Sequence, residues 1–201
     1  MNYPLWKRIE DILGALAGML LILPLAPFII LAIKLEHPEA SFIVRLPRIS
    51  EGRIIYVYKF RNMVPEADKM KDGLRHLNER NDGPFFKIAN DPRVTKVGRI
   101  LRKFRIDEFP QLINVLKGEL SLVGPRPHEE EEIEKYPNEY KLIAKSRAGV
   151  TGLSQVNGAS SLPFLKEVEL DKFYIDHVSL WIDVKILFKT LSILFSDPNA
   201  V

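Results

Sequence analysis

The sequence predicts an α+β fold: a mostly helical, membrane-associated domain with a small β-hairpin and an N-terminal re-entrant membrane helix. Three observations carry this reading. An uncharged run of about 22 residues, Ile12 to Ile33, lies near the N-terminus and is interrupted by Pro24 and Pro27. Two short β-rich runs, Ser41 to Pro47 and Ile54 to Phe60, flank Ser50, Glu51 and Gly52, which is the pattern of a hairpin. Beyond them, most segments place apolar residues at helical spacing between charged ones. The chain divides accordingly into a membrane helix over residues 1–36 and a cytoplasmic domain over residues 37–201 with interfacial amphipathic helices.

The apolar run is long enough to cross a bilayer. A cleaved signal peptide is one alternative, but no small-residue cleavage site follows the run and the chain continues with Lys34. A straight spanning helix is the other. Against it, each proline removes an amide donor and crowds the preceding turn, so a break is expected at Pro24 and Pro27. Lys7 and Arg8 precede the run and Lys34 follows it. Positive residues favour the cytoplasmic side, so both ends ask for the same side. Membrane helices tolerate proline, and spanning remains open on these grounds.

Further along, Pro65 to Asn81 is polar with room for a short helix. Val94 to Phe104 places Val94, Val97, Ile100 and Leu101 at helical spacing, with Lys96, Arg99, Arg102 and Lys103 elsewhere on the helix. A second helix is expected from Asp107 to Leu116, capped by Asp107, with Pro110 in its first turn. Leu120 to Gly124 is a short apolar run ending in the stiff turn Gly124-Pro125-Arg126-Pro127. Glu129 to Lys145 reads as one charged helix, Gly149 to Gly158 as a glycine-punctuated loop and Pro163 to Ile175 as an amphipathic helix. Leu180 to Phe195 fits either a core helix or one lying in the membrane interface with Trp181 and the lysines at headgroup level.

Composition narrows the chemistry. There is no cysteine, which excludes disulfides, thiolate zinc sites and cysteine catalysis. His37, His76, His128 and His177 are scattered without metal-ligand spacing and read as surface or packing residues. The net charge of +3 and pI near 9.0 suit an anionic partner: phosphate, an acidic membrane surface or nucleic acid. No aromatic platform or nucleic-acid motif accompanies the basic residues of 96–103, so nucleic acid is not expected. That helix reads as a solvated face with Arg102 turned inward.

The densest chemical signal is Arg102 to Pro127. It holds adjacent carboxylates, Asp107 and Glu108, flanked by Arg102, Arg105 and Arg126. A carboxylate attacks phosphorus only if the phosphate charge is offset, and arginine forks, a helix N-terminus and a magnesium ion are the usual means. Gln155 and Asn157, between glycines, are either substrate contacts or loop-stabilising amides. Asp171 and Tyr174 lie one helical turn apart and share a face, either lining the site or supporting it.

The chain resembles the bacterial sugar transferase family, the monotopic polyprenyl-phosphate phosphoglycosyl transferases, almost end to end. The resemblance rests on Lys7-Arg8 with Asp11, Tyr58 to Met63, Asn90 to Thr95 with Gly98, Leu101-Arg102, Asp107 to Leu112, Asn114 to Glu119, Gly124 to Pro127, Gly149 to Gly158 and Asp171 to Tyr174. It implies a reaction in which a UDP-sugar and polyprenyl (undecaprenyl) phosphate give polyprenyl-diphospho-sugar and UMP. It implies Mg²⁺ at Asp107 and Glu108, and a ping-pong course with Asp107 as nucleophile and Glu108 placing the metal or managing a proton. Phosphate or substrate binding would fall to Lys59, Arg102, Arg126, Gln155 and Asn157. The implied place is the cytoplasmic face of the bacterial inner membrane, in one leaflet, as a minimal catalytic form at the first membrane step of a glycoconjugate pathway. An oligomer is compatible with it. Relatives often carry Ser-Pro where this chain has Leu23-Pro24, Ser-Leu where it has Arg105-Ile106, and an arginine where Ala159 and Ser160 follow the late Asn-Gly. The competing reading from another class is a non-catalytic membrane scaffold binding anionic lipid, which would need none of Asp107, Glu108 or Arg126.

Overall fold

A computed structural model describes residues 3–158 and 161–196, so Ala159 and Ser160 lie outside the described residues. The apolar run forms two helices, α1 (Leu5–Ile22) and α2 (Ala26–Glu36), bent by 62° at the break between them. Pro24 and Pro27 account for the break: each lacks the N–H that would continue the helix, and Pro27 falls in the first turn of α2, where that loss is harmless. No single described helix is long and apolar enough to cross a membrane; the bent pair meets that criterion only when its two arms are taken together.

One face of α1 docks on the rest of the molecule. Lys7, Asp11 and Ala15, four residues apart, are its buried positions. Gly14 and Gly18 bring its backbone against Leu122 and Leu112: an added Cβ would lie 2.3 Å and 2.7 Å from their Cδ1 atoms. Polar contacts fix the seat. The Asp11 carboxylate accepts from Ser121 Oγ (2.9 Å), the Leu122 amide (2.7 Å) and the Tyr3 hydroxyl. Lys7 pairs with Asp183, which also accepts from the Tyr174 hydroxyl at 2.8 Å. Arg8 donates to the carbonyls of Val115 and Leu116, both at 2.6 Å, at the negative end of a helix. The two N-terminal cations are therefore docked on the folded domain, which composition alone does not reveal.

The hairpin pairs β1 (Ile43–Ser50) with β2 (Arg53–Phe60), in register from Ile43↔Phe60 to Ser50↔Arg53. Only Glu51 and Gly52 turn the chain, both at positive φ (52° and 72°), so Ser50 belongs to the strand rather than the turn. Ile55 and Val57 enter the main core, while Phe60, on the opposite face, packs beneath α2. A 3₁₀ segment, Asp72–Leu77, is the short helix of the polar stretch. The first basic helix is α3 (Lys96–Lys103).

Three expectations need correction. The helix expected from Asp107 begins only at Gln111, as α4 (Gln111–Lys117); Asp107 sits in a 3₁₀ turn, Ile106–Glu108, entered through Arg105 in the left-handed region (φ 52°). Pro110 is the cause, because it stands in the flanking position where its missing donor goes unnoticed. The helix expected over Glu129 to Lys145 is two pieces, α5 (Glu130–Glu134) and a 3₁₀ segment, Asn138–Lys145, interrupted around Pro137. The late loop contains a strand and a helix: β3 (Ser121–Val123) and β4 (Gly149–Thr151) form a parallel pair, followed by α6 (Leu153–Val156).

The last described elements are α7 (Phe164–Asp176) and α8 (Leu180–Ser196). Ile55, Val57, Val115, Leu120, Val123 and Tyr174 lie at the centre of the main core, with Ile186 of α8. Helix α8 is half core and half surface: Asp183 and Ile186 are buried, while Trp181, Val184, Phe188 and Leu191 are exposed.

Candidate active site

The acidic pair is built by three neighbouring segments. Strand β2 ends at Phe60, and Asn62 follows it, just before a bridge between Met63 and Val94. There α3 crosses with almost no gap: a Cβ at Gly98 would lie 1.9 Å from the Asn62 carbonyl, and the Thr95 amide donates to the same oxygen at 3.1 Å. Glycine is required at position 98 by that approach. Asn62 then uses both ends of its amide. Its Nδ2 donates to Asp107 Oδ2 at 2.7 Å, and its Oδ1 faces Arg102 Nη2 at 3.4 Å. From the strand, Lys59 Nζ donates to Glu108 Oε1 at 2.6 Å.

Burial and charge separate the two acids. Asp107 is 5% exposed. Burial pushes its carboxyl above the ordinary aspartate range, and the negative charge of Glu108 adds to that, against the pull of Lys59, Arg102 and the Asn62 hydrogen bond. Glu108 also suffers from desolvation, but the Lys59 ammonium, with Arg126 and Arg105 behind it, holds its carboxyl below the ordinary value. The pair thus has one firmly ionised member and one whose charge costs energy, the asymmetry found where carboxylates take different roles.

Arg126 is placed from outside. Its backbone bears electrostatically on the Asp171 carboxylate, which accepts from Ser154 Oγ at 2.6 Å. Asp171 is buried, and desolvation pushes its carboxyl up to about 7. Of the two readings of Asp171, the contacts favour support: it ties α6 to α7 through Ser154. Lys59, Arg102, Asp107 and Glu108 are brought together directly or through Asn62, and Arg126 bears electrostatically on Glu108. Gln155 and Asn157 are engaged elsewhere. Gln155 Nε2 donates to the Val150 carbonyl (3.1 Å), and Asn157 donates to the Leu153 carbonyl (2.7 Å) while accepting from Lys189 (2.8 Å). His128 is a packing residue, stacked on Phe85 with ring centroids 4.8 Å apart.

Asn62 and Asn114 carry roles that residue-type reasoning passed over. Asn114 is fully buried, accepts from the Tyr58 amide (3.1 Å) and donates to the Tyr56 carbonyl (2.9 Å), closing the open edge of β2. Their signal in the sequence is position inside the charged motifs rather than any charge of their own.

Among the described residues no group of three or more His, Cys, Asp or Glu is placed to hold a metal. The donor set at Asp107 and Glu108 still fits Mg²⁺, which is commonly held by one or two carboxylates together with substrate phosphates and water. Two hard oxygen donors flanked by a lysine and arginines can accommodate an anionic phosphate ester and its counter-ion.

A small α+β domain that rests on a bent apolar helix pair and carries a cation-ringed carboxylate pair defines the class. The chain matches the bacterial sugar transferase family over residues 2–197 and belongs to it. It is 41% identical over 196 residues to the galactosyl transferase CpsE of Streptococcus agalactiae, covering 96% of this chain and 43% of that protein. It is 42% identical over 196 residues to a UDP-glucose:undecaprenyl-phosphate glucose-1-phosphate transferase of Escherichia coli, covering 93% and 39%. The exopolysaccharide production protein ExoY of Rhizobium meliloti is 36% identical over 188 residues, covering 92% and 83%. The chain thus spans about two fifths of the length of the first two relatives and most of the third.

Proposed function

We propose that this chain is a phosphoglycosyl transferase that moves a sugar-1-phosphate from a UDP-sugar to undecaprenyl phosphate and releases UMP. The observation that carries this reading is the Asp107 carboxylate, buried and held by Asn62 beside a Lys59–Glu108 ion pair, with Arg102 bearing on Asp107 and Arg126 on Glu108. The sugars and lipid carrier in the relatives' names support the substrate class.

The step assigned to Asp107 is attack of a carboxylate oxygen on the β-phosphorus. Asn62 fixes Oδ2, so Oδ1 is assigned the attack. The bond between that phosphorus and the bridging oxygen breaks, UMP leaves with the electron pair, and the phosphosugar remains on Asp107. A phosphate oxygen of the polyprenyl acceptor then attacks the same phosphorus, and the carboxylate departs unchanged. Burial makes the Asp107 anion costly and therefore reactive once a cationic surround offsets the approach of phosphate. Arg102 and Arg126 are assigned to phosphate oxygens, and Glu108, kept ionised by Lys59, to the incoming phosphate. Mg²⁺ would be held by Asp107 and Glu108 and supplies charge neutralisation at the phosphates.

The bent pair is read as a re-entrant anchor in one leaflet at the cytoplasmic face of the membrane. Support comes from both its ends being tied to one domain: Lys7, Arg8 and Asp11 at the start, Glu36 at the finish. Incubation of the full chain with UDP-glucose or UDP-galactose alone, followed by peptide mass spectrometry, should place a hexose phosphate on Asp107 and release one equivalent of UMP. Asp107→Asn should release none while staying in the membrane fraction. UMP release by that variant at the native rate overturns covalent catalysis.

A further inference from the structure

The start of α3 is closed by a residue of the membrane anchor. Helix α3 carries Lys96, Arg99, Arg102 and Lys103 and no acid in its first turn. The first amides of any helix lack partners within it. Thr95 Oγ1 accepts from the Gly98 amide at 2.9 Å. The two amides before that are taken by Glu36, the last residue of α2: Oε1 accepts from Lys96 at 2.8 Å and Oε2 from Val97 at 3.2 Å. A carboxylate at a helix N-terminus is also favoured by the helix dipole.

Helix α3 leads directly into the site. Ile29 and Ile33 of α2 form a small core with Phe60 and Leu101, and Ile106 packs against it. These three partners are the chain neighbours of Lys59, Arg102 and Asp107. The seat of α3 on the Asn62 backbone leaves no slack at Gly98, and the Asn62 amide is what holds Asp107. The contacts run without a gap from Glu36 through α3 and Asn62 to the carboxylate.

We infer that Glu36 is a positioning residue for Asp107 and Arg102. It ties α3 to the second arm of the bent pair, so the site reaches working geometry only when that arm is seated on the domain. The inference rests on the assignment of Asp107 as nucleophile.

The test uses the full chain in lipid nanodiscs, with UMP release from UDP-glucose and UDP-galactose in the presence of undecaprenyl phosphate. Glu36→Ala should lower kcat about tenfold, the scale of losing a helix cap, with a smaller change in donor KM. Glu36→Gln keeps the length and one acceptor and should recover part of the loss. Glu36→Ala combined with Lys96→Glu supplies an acid in the first turn of α3 but no tie to α2, and should stay as slow as Glu36→Ala. Recovery of native kcat by that double variant would make Glu36 a local helix cap and overturn the proposal. So would native kcat in Glu36→Ala, or in Glu36→Gln together with Glu36→Ala. If Glu36→Ala does not accumulate in membranes, Glu36→Gln carries the test, and native kcat there counts against the tether. Asp107→Asn, run alongside, reports on the nucleophile alone: its retention of UMP release defeats the functional reading whatever Glu36 does.

Discussion

Lys59 sets the charge state of the acidic pair. Adjacent carboxylates repel, and both here lose solvation. Glu108 stays ionised because an ammonium stands 2.6 Å from it. Asp107 is left with burial and the neighbouring charge, which push its carboxyl upward. As the proposed nucleophile, Asp107 works only above its raised pKa, so the acid limb of the proposed UMP release should lie above pH ~4, the ordinary aspartate value. Lys59→Met removes the cation that lowers both groups. Their carboxyls then rise, and the acid limb should move to higher pH, with slower turnover at neutral pH. The pH profile of kcat/KM checks this; a limb that does not move removes Lys59 from the titration. Arg102, Asp107 and Glu108 were legible as charged residues in a short motif, whereas Lys59, more than 40 residues upstream, was a candidate only through the family resemblance. Asn62 was not, because an amide that orients a carboxylate has no pattern of its own. Glu36 was hidden for a different reason: its partners are backbone amides 60 residues away, which no side-chain rule names.

At the scale of elements, the clasp between α1 and α8 holds the bent helix pair to the domain. Lys7 and Asp183 are 5% and 0% exposed at their side chains, and Glu10 lies near the same carboxylate. Lys7→Met would leave Asp183 buried opposite other acids with no cation. Losing one partner of a buried pair costs about 3–5 kcal/mol. For a chain of this size that corresponds to a fall in melting temperature of roughly 10 °C. Adding Asp183→Asn, which still accepts from Tyr174, should recover much of the fall, and thermal unfolding of both variants in detergent measures it. Equal losses in the single and double variants would mean that the charge is not what matters. The elements that were legible are the long or strongly patterned ones: the hairpin, α3, α7 and α8. The β3–β4 pair was not, since three-residue strands show no periodicity and pair only across residues 121–149. The true start of α4 was masked because Asp107 is a good helix cap by type, and only tertiary contact with Asn62 shows that its side chain is used otherwise. The break near Pro137 was visible as a residue, but the charged helical pattern on either side outweighed it.

For the whole molecule, the apolar surface argues for a second contact with the bilayer. Leu13, Leu16, Leu20, Phe28 and Leu31 are exposed on the bent pair, and Trp181, Val184, Phe188 and Leu191 on α8. Exposed apolar side chains on this scale are the kind of surface that binds a membrane or a partner. Lys185 lies 5.0 Å from the Trp181 ring, the aromatic–cation pairing favoured at headgroup depth. The chain has only two tryptophans, so Trp6→Phe leaves Trp181 as the sole indole reporter. Its emission should be quenched more by bromines placed near the headgroups than by bromines deep in the acyl chains; no quenching by either would place α8 away from the bilayer. The consequence for turnover is more specific than lost attachment. In the proposed reaction the nucleotide donor is dissolved and the polyprenyl acceptor lies in the membrane, and the proposed anchor of α1 and α2 does not involve α8. Phe188→Glu with Trp181→Ser should therefore keep the chain in the membrane fraction and leave the first half-reaction, UMP release from donor alone, at its native rate. Transfer to the lipid acceptor should slow, because the domain loses the second leaflet contact proposed for α8. Equal slowing of both halves would trace the effect to the fold of α8 instead of its seat on the membrane.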